Sequence, residues 1–184
     1  MKKLTVRSIV AIGIGAALFF VLGRFVTIPS SVPNTNIGLQ YGVLAFISAV
    51  YGPTPGLLVG FICHCLIDST RGNIWFSWVI ASALFGGMMG FIATKLHIKE
   101  GNFKWKDIMT FNVAQIICHA IAWGVIAPVL DIVIYAEDSS KVFTQGLVAG
   151  AANIVSTLVV GTLLCVAFVA AVPKKGSLKK KGCT

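Results

Sequence analysis

The stretch YGPTPG, residues 51–56, separates two apolar runs at 37–51 and 53–67, and its reading decides whether the chain there forms one segment or two. Pro53 and Pro55 stand two residues apart. Each lacks a backbone donor and crowds the turn before it, so a single continuous helix does not pass through them. Gly52 and Gly56 add the chemistry of a turn. A tight helical hairpin is therefore predicted.

Outward from this hairpin, further apolar runs cover 9–26, 74–94, 108–135 and 142–172, which makes six spans. Of the 184 residues 57% are hydrophobic and 11% charged, with a mean hydropathy of +0.89. A soluble core does not need such a composition, whereas a helix crossing a bilayer needs about 20 apolar residues for a core of roughly 30 Å. The expected fold is all-α, a single six-helix transmembrane domain over 1–172 followed by a basic tail over 173–184.

The distribution of Lys and Arg sets the expected orientation. With both termini cytoplasmic, 12 of the 15 basic residues fall inside, and Arg24, Arg71 and Lys141 fall outside. The net charge of +9 thus reads as topology and contact with anionic headgroups, not as a nucleic-acid surface. The opening MKKLTVRSIVAIGIGAALFF has the basic head and apolar body of a signal peptide. Its apolar run is long and no small-x-small site closes it, so it is read as the first span.

Cys63, Cys65, Cys118 and Cys165 fall inside spans and Cys183 in the tail, which implies no disulfide framework. Cys63, His64 and Cys65 are successive residues pointing about 100° apart, so they do not converge on one metal ion. Phosphate-binding GxxxxGK[ST], HExxH and GxSxG motifs are missing from the sequence. Uphill transport by this chain would need a partner that supplies ATP hydrolysis.

Gly52, Gly56, Gly60, His64 and Asp68 recur at every fourth position, each about 40° round the helix from the last. The lower part of this ladder permits close helix approach. Its upper part carries groups that lipid rejects, at about 2.5 to 3.5 kcal/mol for an Asp at mid-membrane. His64, Asp68 and Arg71 are accordingly expected at the rim of an outward pocket. In the fifth span, Asn112, Gln115, His119 and Trp123 share an arc of roughly 80°. Asn112 and Gln115 read as interhelical glue; His119 and Trp123 read as ligand contacts. Trp75, Trp78 and Ser82 share a face of the fourth span, and Gln145 and Asn153 lie on the sixth. Aromatic faces with a few hydrogen-bonding groups suit a small flat heterocycle. The loop 27–36 and the following GLQY bring Asn36 and Gln40 to the same end, where the loop reads equally as a lid or a plain connector.

The segments AIGIGAALF (11–19), IPSSVPNTNIGLQY (28–41), YGPTPGLLVGFICHCLID (51–68), WFSWVIAS (75–82), WGVIAPVLDIVIY (123–135) and QGLVAGAAN (145–153) resemble S components of energy-coupling factor (ECF) vitamin transporters. The branch it resembles most has members linked to hydroxymethylpyrimidine or pyridoxine uptake. The resemblance implies a multi-pass subunit of the bacterial cell membrane that captures a vitamin outside. It further implies association with a membrane T component and two ATPases, which use ATP, while this chain binds no cofactor itself. The family's small-xxx-small motif on the first helix maps onto Ala11 and Gly15 and onto Gly13 and Ala17; with Ala16 these form the expected partner face. Two other classes have less support. An intramembrane Cys/His enzyme would need a thiol and base that meet, but Cys118 and His119 are neighbours on one helix and point apart. A channel or permease acting alone would need polar groups along a continuous path, whereas here they gather at one end.

Overall fold

The computed structural model describes residues 5–172; the tail from 173 onward and residues 1–4 lie outside them. Helices α1 (Val6–Phe25), α2 (Gln40–Tyr51), α3 (Pro53–Ser69) and α4 (Phe76–Ala93) are each continuous. Helix α5 (Trp105–Ile121) runs through a π-helical turn, Ala122–Ile126, into α6 (Ala127–Tyr135). Helix α7 (Ser139–Ser156) does the same through Thr157–Gly161 into α8 (Thr162–Ala171). Six helical rods result among the described residues.

The 51–56 stretch forms the expected hairpin. Gly52 adopts φ +96°, which an L side chain rarely takes, and Pro53 starts α3 where its missing N–H costs nothing. The two helices then run back along each other, so that Tyr41 near the start of α2 meets His64 near the end of α3, Oη to Nδ1 at 3.3 Å.

Four rods, of 20, 18, 31 and 33 residues, are long and apolar enough to cross a membrane. The expected span at 37–51 is shorter: residues 36–38 form a strand and α2 has only 12 residues, about 18 Å at 1.5 Å per residue. The expected loop at 27–36 is likewise a ribbon, in which β1 (Thr27–Pro29) pairs antiparallel with β2 (Asn36–Gly38). Because α2 begins only at Gln40, the last five residues of α3, about one and a half turns, extend beyond its start. The space above Gln40 and Tyr41 stays open, and the ribbon covers it.

Small residues let the helices close around that space. A Cβ on Gly60 would lie 2.8 Å from the carbonyl carbon of Ser82, and one on Gly90 would lie 2.6 Å from Pro53 Cα. Helices α3 and α4 consequently share the most extensive helix contact. The core holds Phe19, Tyr41, Phe85, Phe111 and Trp123. Large apolar side chains also cover the outside, among them Val133 at 74%, Phe91 at 70% and Leu147 at 66% exposed. That outer apolar coat is what a lipid-facing surface requires.

Candidate functional site

A cavity of about 300 Å³ opens at the end where α1, the ribbon, the α3–α4 loop and the α6–α7 turn meet. Eight of the nine residues expected to contact a ligand line it: Asn36, Gln40, His64, Asp68, Arg71, Trp78, Trp123 and Asn153. They come from the ribbon, from α2, α3 and the loop after it, from α4, from the π-helical turn at Ala122–Ile126 and from α7.

The floor is a directed chain of hydrogen bonds. His64 Nε2 faces Asp68 Oδ1 at 3.7 Å, and its Nδ1 lies 2.6 Å from Ser82 Oγ. With the carboxylate opposite Nε2, that nitrogen carries the hydrogen and Nδ1 accepts from Ser82. Ser82 in turn accepts from the Tyr41 hydroxyl at 2.7 Å. The outer oxygen of Asp68 accepts the Trp75 backbone N–H at 3.0 Å. Arg71 does not pair with Asp68 but donates to the Gly23 carbonyl at 3.1 Å.

The aromatic wall is Trp78 against Trp123, with ring centroids 5.0 Å apart and planes at 61°. Trp123 also meets Tyr41 edge-on at 5.4 Å. Its indole Nε1, in a side chain 1% exposed, has no hydrogen-bond partner, and neither does Gln40 Oε1. Orphaned buried polar atoms of this kind are costly, at about 1 to 3 kcal/mol each, unless a ligand or water meets them. Both residues line the cavity, but these two atoms are packed away from its open space, as are Gln115 Oε1 and His119 Nδ1 deeper in the bundle, so they do not by themselves mark a ligand contact.

Above the floor, Gln145 Nε2 donates to the Pro33 carbonyl at 2.8 Å and ties the ribbon to α7. Lys141 and Glu137 pair at 2.5 Å on the rim. Asp138 caps α7, and the Ser140 hydroxyl, then the Lys141 N–H, hold its carboxyl below the usual carboxylate range.

His119 is the ninth expected contact and lies elsewhere. Fully buried, it stacks on Phe85 with centroids 3.9 Å apart and bonds Thr157 Oγ1 at 3.0 Å. Tyr41 stands between it and the cavity: His119 is one turn below Trp123 on the same face, and that turn puts it beneath the floor. Asn112 and Gln115, deeper still, bridge α5 to Thr162 Oγ1 at 3.0 Å and to the Ile154 carbonyl at 3.4 Å.

Among the cavity residues to which sequence reasoning gave no role, Tyr41 and Asp131 organise the others. Tyr41 sits in an unremarkable GLQY. Asp131, the sole charged residue in the run 108–135, had the signal that marks functional membrane residues. It accepts from Trp75 Nε1 at 2.5 Å, from the Ser77 hydroxyl and from Trp78 Nε1 at 2.8 Å.

The expected partner face on α1 divides in two. Ala11 and Gly15 are buried against the protein's own core, where a Cβ on Gly15 would lie 2.8 Å from Ile47 Cγ1. Ala16 is half-buried, and its carbonyl accepts the Cys63 thiol at 3.3 Å. Gly13 and Ala17 are exposed, and a Cβ on Gly13 meets nothing within 4 Å. Positions two apart on a helix lie about 200° apart, so the two small-xxx-small pairs cannot share one face.

The model of the family described as ECF-type riboflavin transporter, S component, matches residues 3–170. A UPF0397 protein of Staphylococcus aureus (strain bovine RF122 / ET3-1) is 48% identical over 184 residues, covering 98% of this chain and 100% of that protein. A UPF0397 protein of Staphylococcus aureus (strain Newman) has the same identity and coverage. The chain therefore belongs to the ECF-type S component family, as a membrane subunit that binds substrate for a transporter rather than an enzyme.

Proposed function

We propose that this chain captures a water-soluble vitamin or vitamin precursor, a flat heterocycle of the hydroxymethylpyrimidine or pyridoxine kind, and delivers it inward with an ATP-driven ECF module. The module consists of a T component in the membrane and two ATPase subunits. The observation that carries this reading is the cavity, with the indoles of Trp78 and Trp123 as walls, His64, Asp68, Arg71 and Asn153 among its lining, and a closed floor at Tyr41. Beneath that floor Phe85 and His119 pack without a gap for solvent, both 0% exposed, which favours a dead-ended binding site over a channel. The bias in basic residues supports six membrane segments, with cytoplasmic termini and the cavity facing outward. The short α2 then reaches only part of the way across the bilayer.

A second reading, riboflavin as the ligand, is favoured by the description of the matching family, whereas a cavity at the lower end of the small-molecule range of about 300 to 1,000 Å³ suits the smaller ring. Native mass spectrometry of the detergent-purified chain decides between them by the mass of the retained molecule. A pyrimidine or pyridine mass supports the first reading and a flavin mass the second. Hydrolysis or proton flux by the chain alone would refute both.

A further inference from the structure

Three carboxylates border the cavity; Glu137 pairs with Lys141 on the rim, and the surroundings of Asp68 and Asp131 differ. Asp68 accepts one backbone N–H at 3.0 Å and faces His64 at 3.7 Å. Asp131, 1% exposed, takes three donors, two of them the indoles of Trp75 and Trp78. A carboxylate offers about four lone-pair positions, so little of Asp131 is left for anything else.

Asp131 and Tyr135 lie one turn apart on α6 and together hold the first turn of α4. The Tyr135 hydroxyl accepts the Phe76 N–H at 2.9 Å, and its ring stacks on Trp75 at 4.2 Å and 25°. The start of α4 has no side-chain cap of its own, so these contacts stand in for one. Trp78 follows one turn later. Its indole N–H is fixed by Asp131 Oδ2, and its ring is set against Trp123 at 5.0 Å.

We propose that Asp131 is a positioning residue for substrate binding, orienting Trp78, and through it Trp123, while leaving the ligand itself to the other cavity groups. This assignment rests on the cavity being the vitamin site. The Asp131→Asn variant has a defined consequence. Its remaining oxygen still accepts from Trp75 and Ser77, while its new NH₂ faces the Trp78 N–H, donor against donor. Trp78 is then the ring released.

The test uses the full chain in detergent, labelled with 5-fluorotryptophan. Its four tryptophans give four fluorine resonances, assigned by single Trp→Phe changes. In ligand-free Asp131→Asn, the Trp78 resonance is expected to move while that of Trp105, exposed at the far end of the bundle, stays. With pyridoxine and riboflavin as calorimetric probes, Asp131→Asn should weaken whichever binds by about tenfold, but by no more than about twofold in a Trp78→Phe background, where no indole N–H remains to conflict. Trp78→Phe alone, which keeps a flat ring and removes the anchored N–H, should move the Trp123 resonance. A Trp78 resonance unmoved in Asp131→Asn, or an equal loss of affinity in both backgrounds, would overturn the proposal. Should neither probe bind the wild type while Trp78 moves as expected, the positioning role stands and the vitamin reading fails.

Discussion

Replacing Gly60 by alanine tests whether the α3–α4 approach builds the cavity floor. The added Cβ would sit 2.8 Å from the Ser82 carbonyl carbon and 3.0 Å from Ala83 N, both rigid backbone atoms. Ordinary contact begins at 3.4 Å and the Ser82 carbonyl oxygen lies nearer still, so α4 must withdraw by at least 3.4 − 2.8 = 0.6 Å at Ser82. His64, one turn along the same face of α3, holds Ser82 Oγ at 2.6 Å, and the same withdrawal stretches that bond towards the limit of a hydrogen bond. Overpacking of this kind costs about 1 to 3 kcal/mol, and the weakened bond loosens the Tyr41–Ser82–His64 chain as well. Gly13→Ala is the control, because its Cβ meets nothing within 4 Å and alanine favours a helix interior over glycine by roughly 0.5 to 1 kcal/mol. Thermal unfolding of both variants in detergent should show Gly60→Ala melting several degrees below wild type, and Gly13→Ala at or above it. If Gly60→Ala melts with the wild type, the close approach does not govern the packing and the reasoning fails.

Trp123→Ala should weaken ligand binding at least about tenfold, since each aromatic contact adds on the order of 0.5 to 1.5 kcal/mol beyond area burial; calorimetry with riboflavin and pyridoxine measures it, and wild-type affinity would place the ligand elsewhere. His119→Ala, beneath the floor, should lower the melting temperature through lost contact with Phe85 and Thr157 while leaving affinity within about threefold, the cost of unpairing Thr157 being about 1 to 3 kcal/mol. Gly15→Leu should destabilise the isolated chain by pushing into Ile47, whereas Gly13→Leu should leave its melting unchanged and reduce co-purification with a T component; the reverse pattern would exchange the two faces of α1. A cysteine introduced at position 102 should react with an impermeant maleimide only after cells are opened, and labelling in intact cells would invert the topology.

Much of the site was legible in the sequence because membrane helices obey a strict rule. A polar group in lipid must find a partner, so its periodic position predicts an inward face. In the expected ladder Gly56 and Gly60 are packed glycine and His64 and Asp68 line the cavity, whereas Gly52 lies in the hairpin turn before the helix. Trp78, Trp123 and Asn153 reached the cavity for the same reason. What periodicity cannot supply is depth relative to other helices. His119 and Trp123 share one face of one helix, yet only the place where Tyr41 crosses in front of that face puts one below the floor and the other on the wall.

The sequence by itself determined a lipid-facing helical chain, the hairpin at Pro53 and Pro55, and the end of the bundle where polar groups gather, because composition, proline geometry and the cost of burying charge act locally. Tertiary structure decided the rest. The late start of α2 at Gln40 leaves room for the cavity, and the ribbon at 27–38 covers it. The division of α1 into a core face and a free face depends on where Ile47 lies. Asp131 gains its three donors only when α6 packs against the first turn of α4, bringing together residues more than 50 positions apart in sequence, a proximity that no local pattern encodes.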